Sequence, residues 1–79
     1  MIGIIKRALE YATTKTQNPI RIKEYMEEYL AAAGCDRRYK FKWRAISGNS
    51  KYTFSGIFEY AGQRYHFSKM LGKLELKRI

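Results

Sequence analysis

The chain has 79 residues, a formal net charge of +9, and only one cysteine and one histidine. Its length leaves room for one core and excludes a two-lobed enzyme with a cleft between domains. The lone Cys35 and His66 exclude an intramolecular disulfide and a four-cysteine or Cys2His2 zinc site. With 46% hydrophobic and 29% charged residues and a single proline, the composition is that of a folded chain. The longest apolar runs, Ile4-Ile5 and Ala31-Ala32-Ala33, fall far short of the ~18–20 residues of a membrane span. The expectation is one cytoplasmic domain over residues 1–79, with no membrane association, metal or cofactor.

Ile2, Ile5, Ala8, Leu9 and Ala12 recur at intervals of three and four, which predicts a first helix over 2–14 with one buried stripe. The polar run Thr13-Thr14-Lys15-Thr16-Gln17-Asn18 lacks periodicity and reads as a connecting loop. Asn18 before Pro19 is a helix start, because the asparagine oxygen accepts a free amide and proline wastes no donor. The second helix carries Ile22, Tyr25, Met26, Tyr29, Leu30 and Ala33 on one face. Glu24, Glu27 and Glu28 lie on its solvated side, and Gly34 stops it.

After Asp36 the period changes to two. Tyr39, Phe41, Trp43 and Ala45 alternate with Arg38, Lys40, Lys42 and Arg44, giving a strand with one apolar and one basic face. Ser47-Gly48-Asn49-Ser50 is turn chemistry. A second strand runs from Lys51 to Tyr60 with Tyr52, Phe54, Phe58 and Tyr60 inward, and Gly56 marks a bend or bulge. Ala61-Gly62 turns the chain into a third strand over about 63–70, with Tyr65 and Phe67 inward and Arg64, His66 and Ser68 outward. Gly72 ends it, and Leu74 and Leu76 alternate with Lys73, Glu75 and Lys77 in a short fourth strand. The fold class expected is α+β, a two-layer sandwich in which a helical layer (1–35) packs on a three- to four-stranded antiparallel meander (37–79).

Charge divides the chain at the same place. Residues 1–36 hold five basic and five acidic side chains and are neutral, whereas residues 37–79 hold eleven basic against two acidic ones. If the helices cover the aromatic face of the sheet, the solvent face concentrates that excess, and a polyanion is its natural partner. The expected function is a small, nonenzymatic nucleic-acid-binding protein for DNA or RNA. Its phosphate contacts come from Lys40, Lys42, Arg44, Lys51, Arg64, Lys73 and Lys77, with His66 and Ser68 as nearby hydrogen-bonding groups.

Helix two carries carboxylates outward, which argues against a major-groove recognition helix. Parity sends nearly all aromatics inward, unlike an RNA-recognition sheet. Tyr11, Tyr39, Tyr60 and Tyr65, near element ends, are the candidates for an exposed stacking ring. His66 lacks a nearby carboxylate partner in sequence, and no Gly-rich phosphate loop, HExxH or calcium loop occurs.

Helix, helix and basic meander together are similar in outline to the RelE/ParE-type toxins over the last two-thirds of the chain. That resemblance implies RNA cleavage by basic and aromatic residues of the sheet; resting on order and charge without a motif, it assigns no catalytic residue. Double-stranded-RNA-binding domains also pair a helix with a three-stranded sheet, but they finish on a lysine-rich helix where this chain has Leu71-Gly72 and strand-like alternation. Two alternatives therefore stand beside nucleic-acid binding. One is a RelE-like RNA-cleaving toxin, and the other is an adaptor or inhibitor that docks its basic sheet on an acidic protein. The last strand also offers an edge through which a second copy could form a homodimer.

Overall fold

The computed structural model describes residues 2–48 and 53–79. Two helices, α1 (Ile2–Lys15) and α2 (Pro19–Ala32), precede four strands, β1 (Lys42–Ser47), β2 (Thr53–Tyr60), β3 (Gln63–Met70) and β4 (Lys73–Arg78). The strands form one antiparallel sheet in the order β1-β2-β3-β4, the two-layer α+β arrangement expected.

The helix ends follow from local chemistry. Asn18 Oδ1 accepts the Ile20 amide at 2.9 Å with Pro19 in the first turn of α2. At the other end Gly34 takes φ +95°, the Gly34 amide reaches the Ala31 carbonyl and the Cys35 amide reaches Leu30, so the last carbonyls are satisfied and the chain turns away. α1 runs one residue past its expected end into the polar stretch. Thr13 and Thr14 turn their hydroxyls back onto the Leu9 and Tyr11 carbonyls at 2.8 and 2.7 Å instead of breaking the helix.

Ile5, Ala8, Leu9 and Ala12 of α1 and Ile22, Met26 and Leu30 of α2 close over Phe41, Phe54, Phe58, Tyr60, Tyr65 and Phe67 in a single core. Ile2 and Ala33, expected in the buried stripes, are exposed at the helix ends. Phe58 is the centre of the aromatic packing: it stacks on Tyr65 at 5.3 Å and lies 4.5 Å from Phe41. The Trp43 ring meets Phe41 edge-on at 4.9 Å, and its Nε1–H donates to the Pro19 carbonyl at 2.9 Å, pinning β1 to the start of α2.

The first strand departs from its expected limits. It begins at Lys42, so Arg38, Tyr39 and Lys40 belong to the connection from α2, and it continues through Ser47, which reads as turn in the sequence. The pairing with β2 slips between Trp43 and Ala45, so that Trp43 faces Phe58 while Ala45 faces Ile57. Arg44 is the extra residue of a β-bulge, and beyond it the parity reverses: Ala45 moves to the outer face and Ile46 to the inner. Gly56 marks this irregularity from the partner strand. A β-carbon there would lie 2.7 Å from the Ala45 carbonyl oxygen and 3.1 Å from the rings of Trp43 and Phe67.

The β2–β3 and β3–β4 turns are both two-residue turns with positive φ throughout, Ala61 (+54°) with Gly62 (+79°) and Leu71 (+51°) with Gly72 (+83°). This matches the twist of the flanking strands. Among the described residues no helix is long and apolar enough to cross a membrane.

Candidate nucleic-acid interface

Register fixes the outer face row by row. Lys42, Glu59 and Arg64 form one row, and Ala45, Ile57, His66 and Lys77 the next. Beyond them come Ser47, Ser55, Ser68 and Glu75, then Thr53, Met70 and Lys73. The expected contacts are therefore dispersed. Arg64 and Lys73 stand at opposite ends, separated by roughly 20 Å of strand. Lys51 lies outside the described residues.

The basic face is interrupted by Glu59 and Glu75, both of which alternation already places outward. Its middle is neutral, built from the half-buried Ser55, Ile57, His66 and Ser68. At one end Glu59 is held between two guanidinium groups: Arg44 donates to one carboxylate oxygen at 2.8 Å and Arg64 to the other at 2.6 Å. Those two bonds, Arg44's first, hold the Glu59 carboxyl down at about 2. Lys69, one of the basic residues of the second half, points inward instead, pairing in register with Phe54 and Leu74 and placing Nζ 3.1 Å from the Thr13 hydroxyl. It belongs to the joint between α1 and the sheet.

The densest positive charge spans the connection into β1 and the start of that strand. Arg37, Arg38, Lys40, Lys42 and Arg44 are all exposed, and Arg64 adds its charge through the shared Glu59. The connection, which carries Arg37, Arg38 and Lys40, is ordered by its own bonds. Asp36 accepts the Arg38 amide at 2.9 Å and holds its guanidinium through both carboxylate oxygens, and the Tyr39 amide donates to the Asp36 carbonyl at 3.1 Å. The Arg38 side chain, followed by its amide, keeps the Asp36 carboxyl below the usual range. Further on, the Glu27 carboxylate accepts the Phe41 amide at 2.9 Å, so this residue of the supposedly solvated side of α2 secures the basic segment.

Of the four tyrosines near element ends, Tyr60 and Tyr65 are buried, each 2% exposed, and Tyr11 packs between Tyr25 and Tyr29. Burial pushes the Tyr60 hydroxyl up to about 12, and the adjacent Cys35 adds to the effect. Tyr39 remains 48% exposed, with its ring steeply inclined to that of Tyr60 at 6.0 Å. Two cavities, of about 270 and 280 Å3, both border Tyr39, Lys40 and Tyr60.

A third cavity, of about 360 Å3, gathers Lys6 of α1 with His66, Ser68, Glu75, Leu76 and Lys77. Neither Lys6 nor the run Arg37-Arg38 figures among the contacts expected from strand parity. The run's position two residues beyond the Gly34 stop, after Cys35 and Asp36, is the sequence signal for it, whereas the approach of Lys6 to β4 leaves no local signature.

Comparison with known proteins gives no matching family model, no matching curated protein and no matching solved structure.

Proposed function

We propose that the protein binds nucleic acid, holding phosphates with the basic segment that leads into β1 and with the adjoining end of the outer sheet face. The observation that carries this reading is the exposure of Arg37, Arg38, Lys40, Lys42 and Arg44 within eight positions, beside Arg64. Cations this close repel one another, and a ligand that neutralises them removes that repulsion and releases its own condensed counterions. His66, Lys73 and Lys77 lie farther along the face and serve as outlying contacts for a longer strand.

The test is a salt-resolved titration of duplex DNA, single-stranded DNA and RNA against the wild-type protein and the triple variant Lys40→Ala/Lys42→Ala/Arg44→Ala. The variant is expected to lose affinity for every ligand it contacts through phosphates. Its salt dependence should become shallower by roughly 0.9 per lost phosphate contact on a duplex. Full affinity of the triple variant at low salt overturns the reading. Arg21→Ala/Lys23→Ala, which removes two cations from α2, is the control and is expected to leave binding unchanged.

A second reading, RNA cleavage, is favoured by the cavity where the lone histidine meets Lys6, Lys77 and Glu75. There His66 would take the proton of a ribose 2′-hydroxyl as that oxygen attacks the neighbouring phosphorus to form a 2′,3′-cyclic phosphate; the P–O5′ bond breaks, the departing 5′-oxygen takes a proton from water, and the ammonium groups of Lys6 and Lys77 stabilise the charge added to the phosphoryl oxygens. Cleavage lost in His66→Ala and kept in Lys73→Ala supports it. Intact RNA after prolonged incubation with the wild-type protein removes it.

A further inference from the structure

We infer that Tyr39 is a stacking platform for an unpaired base, so that the ligand of the basic segment is single-stranded nucleic acid. The inference rests on the nucleic-acid reading above and adds to it the kind of strand recognised. A surface that only held phosphates would need cations and no ring. Here the segment that concentrates the cations also presents a half-exposed tyrosine among them, between Arg38 and Lys40 and bordering two cavities.

The ring is placed before any ligand arrives. The Tyr39 amide is bonded to the Asp36 carbonyl, the next segment of chain is tied to α2 through Phe41 and Glu27, and the ring rests against buried Tyr60. Tyr60 is fixed in the core, so the platform has a rigid support and little side-chain entropy left to lose on binding. The faces of duplex bases are covered by their neighbours in the stack, whereas a single strand can turn a base onto the ring while its flanking phosphates reach Arg37, Arg38, Lys40 and Lys42. Stacking of this kind tolerates any base, because every base has a π-face.

Fluorescence anisotropy with labelled oligothymidylate, oligouridylate and a blunt duplex of equal phosphate number, using wild-type protein, Tyr39→Ala and Tyr39→Phe, tests the inference. The wild type is expected to prefer the single strands. Tyr39→Ala should weaken them by roughly 5- to 100-fold with little change in salt slope, and Tyr39→Phe should retain the affinity because it keeps the ring. Unchanged duplex binding by Tyr39→Ala shows that the variant is folded and its cations are in place. Equal single-strand affinity of wild type and Tyr39→Ala overturns the platform while leaving phosphate binding intact, and so does an equal loss in Tyr39→Phe. Absence of binding to all three ligands overturns both readings. A loss confined to one of the two single-stranded probes tells DNA from RNA as the strand the platform serves.

Discussion

The Glu27 carboxylate accepts the backbone amide of Phe41 at 2.9 Å, across fourteen positions of sequence. Phe41 is fully packed in the core, and this bond fixes where the basic connection leaves α2 and enters the sheet. Glu27→Ala leaves the amide without its acceptor and is expected to lower stability by about 1–2 kcal/mol, with Glu27→Gln, which keeps a carbonyl oxygen, costing less. Urea unfolding of the two variants side by side reads the difference.

Glu59 links the charge of the sheet to pH. Its folded pKa is depressed to about 2 from an ordinary 4.5, so the stability it contributes is present above 4.5 and is lost as the pH falls toward 2. The difference in unfolding free energy between wild type and Glu59→Gln should therefore be constant near neutrality and shrink across that acidic window. A difference independent of pH between 5 and 2 contradicts the arrangement.

The same substitution frees Arg44 and Arg64 from their shared carboxylate. Under the nucleic-acid reading, Glu59→Gln should bind tighter at low salt and show a steeper salt dependence, by roughly 0.9 per additional phosphate engaged on a duplex. Weaker binding by this variant shows that Glu59 positions the two arginines for contact rather than competing with the phosphates.

Gly56 leaves no room for a side chain beside the bulge, because its nearest obstacle is the Ala45 backbone oxygen at 2.7 Å and not the end of a flexible chain. Gly56→Ala is expected to destabilise by about 1–3 kcal/mol and to disturb the Trp43 environment. Tryptophan fluorescence followed through urea unfolding measures both effects.

Leu71 is exposed and sits at φ +51° in the β3–β4 turn, a conformation that a branched aliphatic side chain adopts at a cost. Leu71→Asn is expected to gain about 0.5–1 kcal/mol, since asparagine tolerates the left-handed region and suits this turn. Thermal unfolding should show a raised midpoint, and an unchanged or lowered one contradicts it.

The sequence by itself determined the order of elements, the helix caps, the turns at Gly62 and Gly72, and the separation of a neutral helical half from a basic sheet half. Those features depend on neighbours a few positions apart: Asn18 caps the next turn, Gly34 ends its own helix, and alternation belongs to a single strand. Tertiary structure decided which residues share a surface. The bulge at Arg44 reverses the parity of Ala45 and Ile46 because an extra residue is defined only against a partner strand, and Gly56 records it from across the pair. Likewise, the Glu59 carboxylate is shared by Arg44 and Arg64, Lys69 reaches Thr13 of α1, and Tyr39, which alternation turns inward with Tyr60 and Tyr65, is left exposed while those two are covered as expected. Charge could be counted along the chain, but its arrangement depended on strand register and on which rings the helices cover, both set by contacts between distant segments.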